Sequence, residues 1–213
     1  MTLDLFSDQE PRVSIGPGAA LLRGFARPLE HELSDALQAT AAAAPFRNMV
    51  TPGGYTMSVA MTACGRLGWV TDHGGYRYDR IDPETARPWP DMPGVFASLA
   101  RDAAAAAGYT DFTPDSCLIN RYRPGNKLSL HQDKDERDFS QPIVSVSLGL
   151  PATFLFGGPQ RSDPVRRHRL HHADVVVWGG PSRLFFHGVA PVRDGTHLLH
   201  GNCRINLTFR RAS

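Results

Sequence analysis

Apolar residues recur at helical spacing early in the chain and alternate in strand fashion later. Leu29, Leu33, Ala36, Leu37 and Ala41 share one face of a helix predicted over 28–44, which Pro45 closes. A second helix is predicted over 95–107, preceded by Pro93 and stopped by Gly108. Between them, residues 46–92 keep neither period. Gly53, Gly54, Gly65, Gly68, Gly74 and Gly75 alternate with Tyr55, Met57, Met61, Trp69, Tyr76 and Tyr78, which predicts a mobile β-rich flap outside the core. Residues 1–18 read as a loose, Pro/Gly-containing lead. After Pro114 the pattern is strand-like throughout, with candidates at 116–123, 128–133, 143–150, 152–157, 169–171, 174–178, 183–189 and 203–211. Short strands separated by turns predict a sandwich or barrel, and a jelly roll is the form that encloses a pocket.

At 213 residues and 41% hydrophobic, the chain suffices for one sizeable core, so residues 1–213 are expected to form a single domain. Its parts are a flap at about 46–92 and a catalytic core at about 114–213. No segment is a candidate membrane span. The N-terminal Asp4, Asp8 and Glu10 stand where a signal peptide carries basic residues, so a cytoplasmic protein is expected. Cys64, Cys117 and Cys203 are odd in number and scattered, which points to structural thiols and not to a disulfide framework or thiolate zinc site. The net charge of +2 does not by itself announce nucleic acid. Locally, Arg161, Arg166, Arg167 and Arg169 face one acid, Asp163, with His168, His171 and His172 interspersed. That run suits either a phosphate grip or a solvated basic loop.

The candidate chemistry begins at His131-Gln132-Asp133 and continues at His187. On an extended segment His131 and Asp133 share a face, and Gly188 beside His187 permits close backbone approach. Two histidines and one carboxylate are the facial set of non-haem Fe(II) oxygenases, which leaves one side of the metal open for a co-substrate and O₂. A histidine-x-aspartate triplet alone is weak evidence, because a lone histidine is more often structural. The final strand changes that weighing. Arg204, Asn206, Thr208 and Arg210 fall on one face and Cys203, Ile205, Leu207 and Phe209 on the other, so a doubly cationic face is backed by an apolar one. Such a face suits a buried dicarboxylate, read as 2-oxoglutarate. Arg204 is assigned to its distal carboxylate, while Arg210 lies at the metal-chelating end or braces Asp133. Asn120 and Tyr122 share a face of the strand before the metal motif and offer neutral hydrogen-bonding groups. A closed structural zinc site would want four ligands, which counts against that reading.

With these residues in hand, the chain resembles the bacterial AlkB-type alkylation-repair dioxygenases. The resemblance runs through PFRNMVTPGGYTMSVAMT, Asp82-Pro83, Pro88-Trp89-Pro90, LINRYRPGNKLSLHQDKD, IVSVSLGLP, DVVVWGG and the stretch 204–210, and so spans nearly the whole chain. It implies an α+β, mainly β fold: a cupin-like double-stranded β-helix with flanking N-terminal helices and a β-rich substrate flap. It also implies Fe(II), with 2-oxoglutarate and O₂ as co-substrates, and oxidative demethylation of N-alkylated bases such as 1-methyladenine and 3-methylcytosine, releasing formaldehyde, succinate and CO₂. Alkylated DNA is the implied partner, single strands before duplex and RNA as a further substrate, with the protein acting as a monomer.

Carried over residue by residue, His131, Asp133 and His187 match the metal ligands. Asn120, Tyr122, Arg204, Asn206 and Arg210 match positions around the co-substrate. Trp69 falls where the family stacks the target base opposite the ring of His131. Tyr76 and Tyr78 match flap residues near the substrate backbone, Asp135 the acid near the exocyclic amine, and Lys127 and Arg161 groups that face the nucleic acid. The run 166–172 is more basic than the family pattern, and Phe186 stands where Tyr would also fit. The alternatives are a 2-oxoglutarate-dependent hydroxylase of RNA, protein or a small metabolite, and a non-catalytic nucleic-acid-binding jelly roll. The flap aromatics argue for a base.

Overall fold

In a computed structural model, residues 10–213 are described, and the expected lead over 1–9 lies outside them. The described residues start with β1 (Arg12–Gly16) and β2 (Ala19–Leu22), followed by α1 (Glu30–Ala43). Then come β3 (Ala60–Gly65), β4 (Gly68–Asp72), β5 (Gly75–Asp79), β6 (Ile81–Asp82), β7 (Arg87–Pro88) and α2 (Gly94–Ala106). The remainder is β8 (Ser116–Tyr122), β9 (Leu128–His131), β10 (Ile143–Gly149), β11 (Ala152–Phe156), β12 (Arg166–Leu170), β13 (Val175–Trp178), β14 (His187–Val189) and β15 (Arg204–Arg210). Among the described residues no helix is long and apolar enough to cross a membrane.

The strands form a jelly roll of two main antiparallel sheets. The larger runs β1-β2-β13-β10-β15-β8-β3 and the smaller β12-β11-β14-β9. Side-chain alternation divides the large sheet into a helix-facing side and a pocket-facing side. Ile205, Leu207 and Phe209 of β15 join Val144, Val146 and Leu148 of β10 against Leu33 and Leu37 of α1 and Phe96 and Leu99 of α2. Phe96 meets Phe209 edge to face at 6.1 Å. All seven residues of β15 are buried, because its other face lies against the cavity between the sheets. That is why the strand tolerates two arginines without opening to solvent.

Both helices lie within two residues of their predicted bounds. Four other expectations need correction. Residues 12–16 are a strand and not part of a loose lead: Val13 and Ile15 alternate, and the apolar run 19–22 is covered on both sides by β1 and β13. Nor does 46–92 lie wholly outside the core, since β3 pairs with β8 in the large sheet and Met61, Ala63, Val70 and Trp89 are buried together. The basic run is a strand over 166–170, at the edge of the small sheet, where charged side chains discourage further pairing. Within 183–189 only His187–Val189 is strand, because a 3₁₀ turn at Gly180–Ser182 delivers Arg183 into the interior.

Candidate active site

His131 ends β9 and His187 begins β14, and the two residues stand opposite each other in the small sheet. Close approach there requires Gly188, where a Cβ would stand 2.6 Å from the Leu128 carbonyl oxygen. Asp133 follows just beyond β9. Its carboxylate oxygens lie 3.6 Å from His131 Nε2 and 3.8 Å from His187 Nε2. Each imidazole donates its Nδ1–H to the carbonyl two residues back, His131 to Ser129 at 2.9 Å and His187 to Phe185 at 3.0 Å. The tautomers so fixed turn both Nε2 lone pairs toward the carboxylate. Burial, reinforced by the neighbouring His131, pushes the His187 pKa down to about 4, so the ring is neutral and free to ligate. Although burial opposes ionisation of Asp133, Arg210, His187 and His131 hold its carboxyl well below the usual carboxylate range. Two imidazoles and one carboxylate with donor atoms within 4.8 Å of one another fit a single Fe(II).

The large sheet supplies the opposite wall. Arg204, Asn206, Thr208 and Arg210 all line a cavity of about 610 Å³ that also holds the triad. Arg210 braces Asp133, with Nε and Nη2 donating to the same carboxylate oxygen at 2.9 and 2.6 Å. Arg204 is 1% exposed and stacks over Tyr122 at 5.0 Å. One of its donors reaches Ser147 Oγ at 2.9 Å, while Nε and Nη1 have no partner among the described residues. The Tyr122 hydroxyl and the Asn120 amide oxygen are equally without one. Buried donors rarely stay unpaired, so an unused guanidinium edge and a hydroxyl in one cavity fit a carboxylate end of 2-oxoglutarate. Asn206 plays a more structural part. Its amide donates to Ser145 Oγ and the Val146 carbonyl and accepts from Thr208, which fixes the sheet beneath the cavity.

Of the two acids directly after the metal motif, Asp135 and Glu136, the sequence marks at least one as more than a solvated turn, but it does not single out the partner, Arg183. Glu136 is 6% exposed and pairs with Arg183 at 3.1 Å and Arg210 at 3.2 Å. Arg183 also donates to the Asp133 carbonyl at 2.9 Å and the Gln141 carbonyl at 2.9 Å. Tyr78 from the flap closes the network by donating to Glu136 at 2.6 Å. Burial raises its phenol pKa well above the usual value and keeps it a donor. The available signal was an acid immediately after the metal motif together with an arginine four residues before the third ligand. Neither announces a partner.

The mouth of the cavity is aromatic and polar. Trp69 and Tyr76 stack with ring centroids 5.7 Å apart, and Trp69 Nε1–H donates to Asp135 at 2.8 Å. Arg161 donates to the Leu130 carbonyl at 2.8 Å, lies over Phe186 and shares the lining with Lys127. The flap is anchored below by Arg47, which grips the buried Asp82 carboxylate at 2.6 and 3.0 Å and covers Trp89.

A model of the 2OG-Fe(II) oxygenase superfamily matches residues 18–210. The alpha-ketoglutarate-dependent dioxygenase AlkB of Escherichia coli is 60% identical over 211 residues, covering 99% of this chain and 98% of that protein. The human nucleic acid dioxygenase ALKBH1 is 35% identical over 128 residues, covering 60% of this chain and 32% of its own length. A solved structure of OsALKBH1 superposes with a TM-score of 0.83 at 30% identity, covering 94% of this chain and all of the other. The chain belongs to the 2OG-Fe(II) oxygenase superfamily and, within it, to the AlkB-type alpha-ketoglutarate-dependent dioxygenases.

Proposed function

We propose that this dioxygenase oxidatively demethylates N-alkylated bases in DNA, taking single strands before duplex and RNA as a secondary substrate. The observation that carries the reading is one cavity whose floor holds the triad and Arg204 and whose mouth is the Trp69–Tyr76 pair beside Asp135. Bound Fe(II) supplies O₂ activation coupled to decarboxylation of 2-oxoglutarate. His131, Asp133 and His187 hold the metal, and Arg204, with the Tyr122 hydroxyl, holds the far carboxylate of the co-substrate. Arg210 keeps Asp133 ionised, while Glu136 and Arg183 hold Arg210 and the Asp133 backbone in place.

A base must leave its stack to reach this floor, and one methylated at a pairing nitrogen costs less to extrude. Trp69 and Tyr76 offer aromatic faces, worth ~1 to 3 kcal/mol per stacked base. A methyl at N1 of adenine or N3 of cytosine also leaves the base cationic, which the Asp135 carboxylate favours over the neutral parent. In balance, the N-methyl base, 2-oxoglutarate and O₂ give the N-hydroxymethyl base, succinate and CO₂, and the hydroxymethyl group leaves as formaldehyde. A monomer with one catalytic domain over 1–213 belongs to the same reading. The unpaired cysteines suit the reducing cytoplasm.

The test incubates purified protein, Fe(II), ascorbate and 2-oxoglutarate with single-stranded oligonucleotides carrying 1-methyladenine or 3-methylcytosine, and follows formaldehyde and oligonucleotide mass. A loss of one methyl mass with stoichiometric formaldehyde is expected. Steady 2-oxoglutarate decarboxylation with every methyl retained would mean that the substrate is not an alkylated base.

A further inference from the structure

A second cavity of about 360 Å³ adjoins the first, and Tyr76, Tyr78 and Asp135 line both. The β4–β5 hairpin is therefore a shared wall. Four arginines line the second cavity: Arg66 from the β3–β4 turn, Arg77 and Arg80 from the flap, and Arg137 from the loop after the metal motif. Asp135 is the only acidic side chain in its lining, and its carboxylate already accepts the Trp69 indole N–H. Arg77 is paired with Asp72 at 2.9 Å and with Asp79 at 3.5 Å. Arg66, Arg80 and Arg137 are exposed and form no ion pair within 4.0 Å among the described residues. Lys127 and Arg161 line the base cavity alone, so this groove is a separate cationic surface.

We propose that this arginine groove binds the phosphodiester backbone on one side of the extruded nucleotide, and so extends the base cavity into a strand-tracking site. The proposal rests on the nucleic-acid reading above. A base seated between the Trp69–Tyr76 pair and the triad leaves its own phosphates at the rim formed by Tyr76 and Asp135. The backbone leaving that rim on the flap side runs into the groove, where three guanidinium groups present unused planar forks suited to phosphate oxygens. A chain with a net charge of only +2 cannot attract a strand by its overall field, so a local groove beside the mouth supplies the attraction where it orients the substrate.

The test compares the wild-type protein with an Arg66→Ala/Arg80→Ala/Arg137→Ala variant, using anisotropy of methylated single-stranded oligonucleotides across a salt series and repair of a methylated trinucleotide. Two oligonucleotides are used, extended by about ten nucleotides either 5′ or 3′ of the lesion. For one of the two, the variant should bind at least tenfold more weakly at low salt. Its plot of log affinity against log salt should lose ~2 from its slope, at ~0.7 per phosphate contact removed from a single strand. The other oligonucleotide and the trinucleotide should change less than twofold, and an Arg→Lys triple variant should recover most of the slope. Unchanged affinity and slope for both oligonucleotides would overturn the groove. So would equal losses on the two sides or an equal loss on the trinucleotide, which would mean that the arginines act through the base cavity. If wild type repairs no methylated substrate, the functional reading fails, while the salt slopes still decide whether the groove binds a strand.

Discussion

Two histidine clusters in this molecule look alike in composition and differ in what their nitrogens are free to do. His131, Asp133 and His187 bring three ligand atoms within 4.8 Å of one another, and so do His172, His197 and His200. In the first cluster each Nδ1–H is spent on a backbone carbonyl, and each Nε2 lone pair faces the shared carboxylate. The second is wired the other way. His172 Nδ1 accepts the Gly149 backbone N–H at 3.0 Å, so its proton sits on Nε2 and is donated to Glu30 at 3.0 Å. His197 Nδ1 accepts from the Leu199 N–H at 3.3 Å, and His200 Nε2 meets Ser34 Oγ, whose own hydrogen goes to the Glu30 carbonyl. A neutral imidazole has one lone pair to give, and His172 has already given it. The partner of the second nitrogen, and not the number of histidines, separates a metal site from a packed network.

The largest expected effect tests that distinction directly. His131→Ala, Asp133→Ala and His187→Ala should each reduce turnover below detection, while His200→Asn should keep it within twofold. Titration with Co(II), followed by its visible spectrum, should show one equivalent bound to wild type and to His200→Asn and none to Asp133→Ala. A second equivalent that disappears in His200→Asn would erase the contrast between the clusters.

What was legible in the sequence follows the same division. The His131–Asp133 pair and β15 could be read because their information is local, a two-residue spacing and strict alternation over seven residues. His187 could be joined to them because a second histidine beside a glycine is what a facial metal set still needs. The unused capacity of Arg204 could be anticipated, because its strand face was visible. The pairing of Glu136 with Arg183 could not, since an acid and a base without a shared motif do not name each other as partners until the fold joins them at 3.1 Å. The burial of β3 was hidden for a related reason. Its glycine-flanked, flap-like pattern is overridden by pairing with β8, a tertiary contact with no local signature.

Next in size is the co-substrate arginine, whose two unpartnered donors are the large-sheet counterpart of the triad's free lone pairs. Arg204→Lys keeps a charge but loses the planar edge, at a cost of ~1.5 to 3 kcal/mol for charged hydrogen bonds. The KM for 2-oxoglutarate should rise about 10- to 100-fold, with oligonucleotide affinity unchanged. An unchanged KM with weakened oligonucleotide binding would place Arg204 at a phosphate.

A paired substitution then sharpens the role of the supporting carboxylates. Glu136→Gln weakens the charge that holds Arg210 and Arg183 beside Asp133, and metal affinity should fall about 10- to 100-fold, the usual range for outer partners of metal ligands. Glu30→Gln, at the partner of His172, should leave metal affinity and turnover alone. Equal losses from both would show that the network around His172 reaches the metal after all.

The smallest effect concerns acid stability. Burial, with like charge from His172 and His197, pushes the His200 pKa down to about 4, while Glu30 opposes the shift. His172 and His197 are also lowered, chiefly by burial, with Arg27 adding to both shifts. An unfolded histidine titrates near ~6.5, so between about 6.5 and 4 the unfolded chain binds more protons than the folded one. The sign is therefore fixed: stability is full above pH 6.5 and is lost as pH falls toward 4. His200 is only partly buried, so solvent screening reduces its share to roughly 1 kcal/mol, or ~2 to 4 °C in Tm for a chain of this size. His200→Asn removes one such group, and the fall in Tm between pH 7 and pH 5 should shrink by that amount. The measurement uses protein saturated with Co(II), so that His187 stays ligated. Groups outside the second cluster, such as His168 with its burial-lowered pKa, are common to both proteins and cancel in the comparison. An identical fall in both proteins would show that these imidazoles are already solvated in the folded state, and that the second cluster is a surface feature instead of a packed network.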